Sequence, residues 1–159
     1  MGRRQVPSAN RVIEGYEFPE GLWYDPREHL WLRPGEADRR GEREVTIGVD
    51  AIGVEALGEV VYVQLLDPVQ PARRGQAVGS LEAEKMVRPL VAPLSGTVTA
   101  VNGELLAAPR LLNSDPYGRG WLFRISAEAW DVESRDLLSA PDAVEAWVRA
   151  EVQAHRERS

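Results

Sequence analysis

A chain of 159 residues, 43% hydrophobic and 28% charged, has the length and balance of one soluble globular domain with a substantial core. Its net charge of −6 and pI near 5.0 leave no electrostatic footprint for nucleic-acid binding, and no apolar run approaches the roughly 18 residues that span a membrane. With no cysteine there is no disulfide framework, thiolate nucleophile or thiolate metal site, and His29 and His155 are too few for the usual zinc constellations.

Residues 1–21 are polar and punctuated by Pro7, Gly15 and Pro19, and are expected to form a loose arm or a surface strap. Arg3 and Arg4 have no apolar run behind them, so neither a secretory nor a twin-arginine signal is read, and Val6 argues against myristoylation. A cytoplasmic location follows as the default. Leu22-Trp23-Tyr24 and His29-Leu30-Trp31-Leu32-Arg33 read as two strands joined by the turn Asp25-Pro26-Arg27-Glu28. Pro34 to Glu44 is charged and reads as an exposed loop. Val45 to Val49 alternates with period two, as a half-buried strand does. Asp50 is placed to cap a short helix over 51–57, and Gly58 to end it. Glu59 to Leu65 is β-branched and predicts a central strand. Arg73-Arg74-Gly75-Gln76 reads as a turn.

After Gly96, the stretch Thr97 to Val101 alternates again, and Gly120 to Ile125 predicts a strand with Trp121, Phe123 and Ile125 on one face. The predicted core holds Val45, Ile47, Val61, Val63, Leu81, Val98, Trp121, Phe123 and Ile125. A short helical stretch starts at Asp131 and ends near Leu138. Residues 139–159 then carry start signals in Ser139 and Pro141 and an apolar stripe at Val144, Trp147, Val148 and Val152, the mark of a helix packed on the domain. The fold class read from this is mainly β: a flattened antiparallel β-sandwich with short helices and a C-terminal amphipathic helix.

Gly79 to Gly96 concentrates the chemistry. Lys85 is the only lysine beside 18 arginines, and it sits in the polar tip Glu82-Ala83-Glu84-Lys85 between two apolar β-like runs. A lysine so placed is held out where another enzyme can modify it. It is not suited to Schiff-base catalysis, which needs a desolvated lysine, because Glu82 and Glu84 favour the protonated form. Ser95 lacks a nucleophile-elbow pattern, so a triad with His29 is not read, and no intrinsic catalysis is expected.

Glu82-x-x-Lys85, Pro93 and Ser95-Gly96 match the lipoyl-attachment hairpin, and the chain resembles the H-protein family of the glycine cleavage system. The resemblance extends from about Leu22 to Leu138. It includes His29 and Trp31, the segment Leu57-Gly58-Glu59-Val60-Val61-Tyr62-Val63, and Asp115-Pro116-Tyr117-Gly118-x-Gly120-Trp121. It implies a barrel-sandwich hybrid of the lipoyl-domain type over 22–138, a carrier rather than an enzyme, and lipoic acid in amide linkage on Lys85. Glu82, Glu84 and Gly96 are implied as hairpin and ligase-recognition residues. Implied partners are a lipoate ligase or lipoyl-transfer enzyme, dihydrolipoamide dehydrogenase, glycine decarboxylase and aminomethyltransferase. A biotinyl carrier is a further reading, since Ala83-x-Lys85-Met86 is similar to the biotin motif; Glu84, an acid before the lysine, is lipoyl-like.

In the family the aminomethylated arm folds into a cleft where two acids meet its amine. Here the positions are Leu30, beside His29, and Pro89. An ammonium without a carboxylate bears an uncompensated desolvation cost. The N-terminal segment, the run Lys85-Met86-Val87-Arg88-Pro89 and the corner Ala129-Trp130-Asp131 resemble H-like lipoate-binding proteins of sulfur oxidation. They predict a sulfur-handling role with a heterodisulfide-reductase-like complex. The other reading is an orthodox carrier of the aminomethyl group whose cleft uses other acids.

Overall fold

The layering follows from the leucine–tryptophan–leucine run at the start of β4 (Leu30–Ala37). Successive side chains of a strand point to opposite faces. Leu30 and Leu32 enter one buried cluster and Trp31 enters another, all three at most 1% exposed. The sheet that holds β4 is therefore covered on both sides. The computed structural model describes residues 11–158.

Ahead of β4 come β1 (Val12–Ile13), β2 (Tyr16–Glu17) and β3 (Trp23–Asp25). Behind it follow β5 (Arg43–Val49), α1 (Ala51–Leu57), β6 (Val60–Leu65), β7 (Pro71–Ala72), β8 (Ala77–Ala83) and β9 (Val87–Val91). The chain continues through β10 (Gly96–Val101), α2 (Gly103–Ala107), α3 (Leu111–Ser114), β11 (Phe123–Ala127), α4 (Trp130–Glu133), a 3₁₀ turn and α5 (Pro141–Arg158). A six-stranded antiparallel sheet has the order β3-β4-β5-β11-β10-β7, and a three-stranded sheet the order β6-β8-β9. Val45, Ile47, Phe123 and Ile125 from the first sheet and Val63, Leu81 and Leu90 from the second share one core, which makes the sandwich.

The outer face of the larger sheet carries a second cluster. Residues 11–21 pack there as a strap: Ile13 and Phe18 join Leu22, Tyr24 and Trp31 under Val144 and Val148 of α5. The hairpin β1–β2 turns at Glu14 and Gly15, both at positive φ (54° and 88°), as a two-residue turn matching strand twist requires. The N-terminal residues 1–10 lie outside the described span.

Three local expectations are corrected. Pro34 to Glu44 is not all loop: β4 runs on to Ala37 and pairs with β5 from Arg43, and only the exposed position of this extension made its charges look loop-like. β6 is an edge strand, and Val61 is 58% exposed; a bulge between Val60 and Tyr62 shifts the alternation so that Val60 and Val63 point inward. Trp121 lies before β11 begins and packs partly buried in the outer cluster, with the Arg124 guanidinium 4.2 Å from its ring, while Leu122 is fully buried.

In urea unfolding, Leu122→Ala is expected to cost about 2–5 kcal/mol, as deletion of a buried leucine side chain does. Trp121→Ala is expected to cost less. A Trp121 loss equal to or above that of Leu122 would mean that the half-buried ring carries core-like packing.

Candidate functional site

Seven residues with a glycine among them are too few to hold a helix in water, so α1 depends on its ends. At its N-terminus the fully buried Asp50 accepts from the Gly53 N–H (2.9 Å). Tyr117, from the Asp-Pro-Tyr-Gly segment, accepts from the Ala51 N–H (2.9 Å) and donates to the Glu17 carbonyl (2.6 Å), tying α1 to the strap. At the C-terminus Asn113 donates to the Gly58 carbonyl (2.7 Å) and accepts from the Val60 N–H (2.9 Å).

The hairpin tip is docked on that C-terminal end. The N–H groups of Glu84 and Lys85 donate to the carbonyls of Glu59 (2.9 Å) and Leu57 (3.2 Å), and the Lys85 Nζ donates to the Glu55 carbonyl (3.2 Å). The Glu84 carboxylate accepts from the Glu59 N–H (3.2 Å) and lies over Gly58. A Cβ at position 58 would stand 2.6 Å from Glu84 Oε1, and φ there is +76°, so only glycine allows this docking. Lys85 is exposed, held by its backbone rather than by a buried side chain.

Beside Lys85 opens a cleft of about 800 Å³. Ile52, Gly53 and Ala56 of α1, Met86 and Arg88 of the hairpin, Glu14 and Tyr16 of the strap, and the last turns of α5 enclose it, with His29 at its inner end. His29 sits at φ 55°, between two carboxylates: Nδ1 is 3.1 Å from Asp50 and Nε2 is 2.8 Å from Glu151. Its ring stacks on Trp147 at 5.2 Å. Burial alone pushes the imidazole down, but hydrogen bonds and charge from Asp50 and then Glu151 outweigh this and raise it above its ordinary value of 6.5. Tyr16 donates to the Glu55 carboxylate, and chiefly for that reason is pushed up to about 12. Desolvation lowers the half-buried Arg88 guanidinium, with Glu28 and Asp50 opposing.

Of the expected site residues, Lys85 and His29 line this cleft. Glu82 is exposed on β8, opposite Tyr62 and Val87, and Glu84 has the docking contacts above. Gly96 lies away from the tip at the start of β10, where a Cβ would stand 1.9 Å from the Ser126 carbonyl oxygen of β11. Leu30 and Pro89 are not in the cleft: Leu30 is 1% exposed inside the sandwich core, and Pro89 faces outward on β9 opposite Ser80. Alternation decides Leu30, because Trp31 must take the opposite face. The expected apolar, acid-free cleft is thereby corrected, since Glu14, Glu55 and Glu151 line it. Sequence reading missed these acids and the α5 residues. The available signal was the spacing of Glu151, His155 and Arg158 at i, i+4 and i+7, a second stripe beside the apolar one. Among the described residues no cluster suited to a metal ion occurs, and no helix is long and apolar enough to cross a membrane.

Residues 24–150 match the family model described as glycine cleavage H-protein. The chain is 40% identical over 135 residues to the glycine cleavage system H protein of Mycobacterium avium (strain 104), covering 85% of this chain and 92% of that protein. It is 43% identical over 125 residues to that of Nocardia farcinica (strain IFM 10152), covering 77% and 90%. Among solved structures, the crystal structure of a glycine cleavage system H protein from Mycobacterium marinum superposes with a TM-score of 0.66 at 33% identity, over 79% of this chain and 94% of that one.

A raised folded value means that the His29 imidazolium stabilises fully below the unfolded value of 6.5, and that this contribution is lost as pH rises through the folded value. The melting-temperature difference between the wild type and His29→Gln is therefore expected to shrink as pH rises from below 6.5 into the alkaline range. A difference independent of pH would mean that the fold leaves the proton affinity of His29 unchanged, and one that grows as pH rises through 6.5 would mean that His29 is held neutral in the fold. Leu30→Glu places a carboxylate in the sandwich core and is expected to lower stability by about 3–5 kcal/mol in denaturant unfolding, the scale of an uncompensated buried charge. A soluble variant of unchanged stability would place position 30 on the cleft.

Proposed function

The chain belongs to the glycine cleavage H-protein family, and on that footing we propose that Lys85 carries lipoic acid in amide linkage and that the arm serves glycine cleavage. A member of this family is a carrier, not a catalyst. The observation that carries the proposal is the placement of the sole lysine, exposed at a docked hairpin tip and opening on the cleft. A linear acyl chain fits that cleft: Ile52, Ala56, Met86 and Val152 offer apolar surface between polar ends. The group would supply reversible disulfide–dithiol chemistry at the end of a long tether. The protein's own residues supply position. α1 sets where the arm starts, and the tether raises the local concentration of what it carries at each partner.

The partners proposed are glycine decarboxylase, aminomethyltransferase, dihydrolipoamide dehydrogenase and a lipoate ligase or lipoyl-transfer enzyme. The sulfur-handling reading rested on Leu30 and Pro89 standing where acids were expected and on a resemblance that the family match does not extend. Glu14, Glu55 and Glu151 line the cleft, so carboxylates are within it for a cationic cargo, alongside Arg88, Arg156 and Arg158. The orthodox cargo is therefore the favoured one, and a biotinyl carrier has no support in the family match.

Co-expression with a lipoate ligase is expected to raise the intact mass by one lipoyl group, and Lys85→Arg is expected to abolish the gain. A biotin adduct, or no adduct with any competent ligase, would refute the carrier assignment at Lys85. Turnover far below that of an orthodox H-protein, with the lipoylated chain and its host's glycine decarboxylase and aminomethyltransferase, would return the cargo to the sulfur-handling reading.

A further inference from the structure

On the outer face of the six-stranded sheet, one row beside Trp31 holds Arg33 of β4, Thr46 of β5 and Arg124 of β11, paired strand to strand. Neighbouring strands stand about 4.8 Å apart, which leaves the two arginine backbones roughly 10 Å apart with only a threonine between them. Each guanidinium lies on an indole: Arg33 is 4.8 Å from the Trp31 ring centre, and Arg124 is 4.2 Å from that of Trp121. Arg33 donates to the Tyr117 carbonyl and Arg124 donates through Nε to the Thr46 hydroxyl, both at 3.1 Å. Among the described residues, neither guanidinium pairs with a carboxylate. Further along this face, Glu42 accepts from the Ser126 hydroxyl and Glu44 from the Thr99 hydroxyl, both at 2.9 Å. Elsewhere Arg11, Arg73, Arg74, Arg119 and Arg149 each meet an acid, so in a chain of net charge −6 this pair is set apart. Partial burial and then the Arg124 charge lower the Arg33 guanidinium, as happens when two cations are held together without a counter-ion.

We propose that Arg33, Thr46 and Arg124 form an oxyanion site that takes a phosphate group, free or as a small monoester. None of these residues lines the cleft beside Lys85, so the site is separate from the carrier function. Charge selects the ligand class. A phosphate carries between about −1.5 and −2 near pH 7 and balances both cations, whereas a carboxylate balances one. The donors are in place as well. Each guanidinium spends one N–H on the protein and keeps the others, and the Thr46 hydroxyl, which accepts from Arg124, keeps its own hydrogen to donate. Two planar forks flanking a hydroxyl match the several oxygens of a phosphate, which arginine meets in bidentate fashion. Stacking on Trp31 and Trp121 holds both planes before the ligand arrives, so little side-chain freedom is lost on binding. A dianion between the arginines also removes a repulsion that otherwise opposes folding.

The test titrates the full chain, nitrogen-15 labelled, with inorganic phosphate and with glycerol 3-phosphate, ionic strength being held constant with chloride. The indole N–H signals of Trp31 and Trp121, which lie under the two guanidiniums, are followed by nuclear magnetic resonance. Both are expected to shift and saturate in the millimolar range, and the melting temperature is expected to rise with ligand, as linkage requires. Arg33→Gln and Arg124→Gln are each expected to weaken binding about tenfold, the scale of one lost charge-assisted contact. Arg124→Lys, which keeps the charge and loses the fork, is expected to weaken it as well. Should one glutamine variant lose the dispersed spectrum of the fold, the other and Arg124→Lys carry the comparison. Tighter binding of glycerol 3-phosphate identifies a phosphorylated small molecule as the occupant, and tighter binding of inorganic phosphate identifies the free ion. Shifts that do not saturate, or binding that survives both glutamine substitutions, overturn the site. Equal binding of succinate at the same ionic strength overturns the assignment to phosphate.

Discussion

A carboxylate with no surface in contact with water must be met by donors, or its burial costs several kcal/mol. In this chain that demand falls on Asp50, at the junction of β5 and α1, and the surroundings answer it from two directions. The Gly53 N–H fixes the first turn of α1, and the imidazole of His29, the residue before β4, closes the other side. His29 reaches that position through a left-handed backbone conformation, which a residue other than glycine adopts only where its surroundings impose it. Its second nitrogen holds Glu151, so one buried charge joins the six-stranded sheet, α1 and α5.

The presentation of Lys85 follows from that junction. With α1 fixed at its start by Asp50 and Tyr117 and at its end by Asn113, the carbonyls of Glu55 and Leu57 are rigid acceptors for the hairpin tip. The two motifs that lie far apart in sequence, the hairpin and the segment from Asn113 to Gly118, are thus parts of one pedestal. A carrier needs a stiff base beneath the residue that bears its group.

The charges of the cleft come from elements that no hairpin motif contains. Glu55 belongs to α1, Glu14 to the strap, and Glu151 to α5, which starts more than fifty residues after Lys85. Leu30 removes no acid from this surface, because it belongs to the sandwich interior. Position 30 belongs to core packing, and the cleft takes its acids from other elements.

Local chemistry decided much by itself. The Asp50 cap and the Gly58 stop delimit α1, period-two alternation marks β5 and β10, and the stripe Val144, Trp147, Val148, Val152 marks the buried face of α5. The tip lysine between two β runs was legible for the same reason: turn and strand signals act over a few residues. What the sequence could not settle is where alternation slips and which distant surfaces meet. The bulge at Val60–Tyr62 turned Val61 outward, the late start of β11 took Trp121 out of the core, and strand parity sent Leu30 inward. The cleft needed the strap, α1, the hairpin and α5 brought together, and His29 gained its two carboxylates only from that assembly. Propensity and pattern are properties of neighbours along the chain, whereas the charge and shape of a cleft belong to residues that only packing makes neighbours.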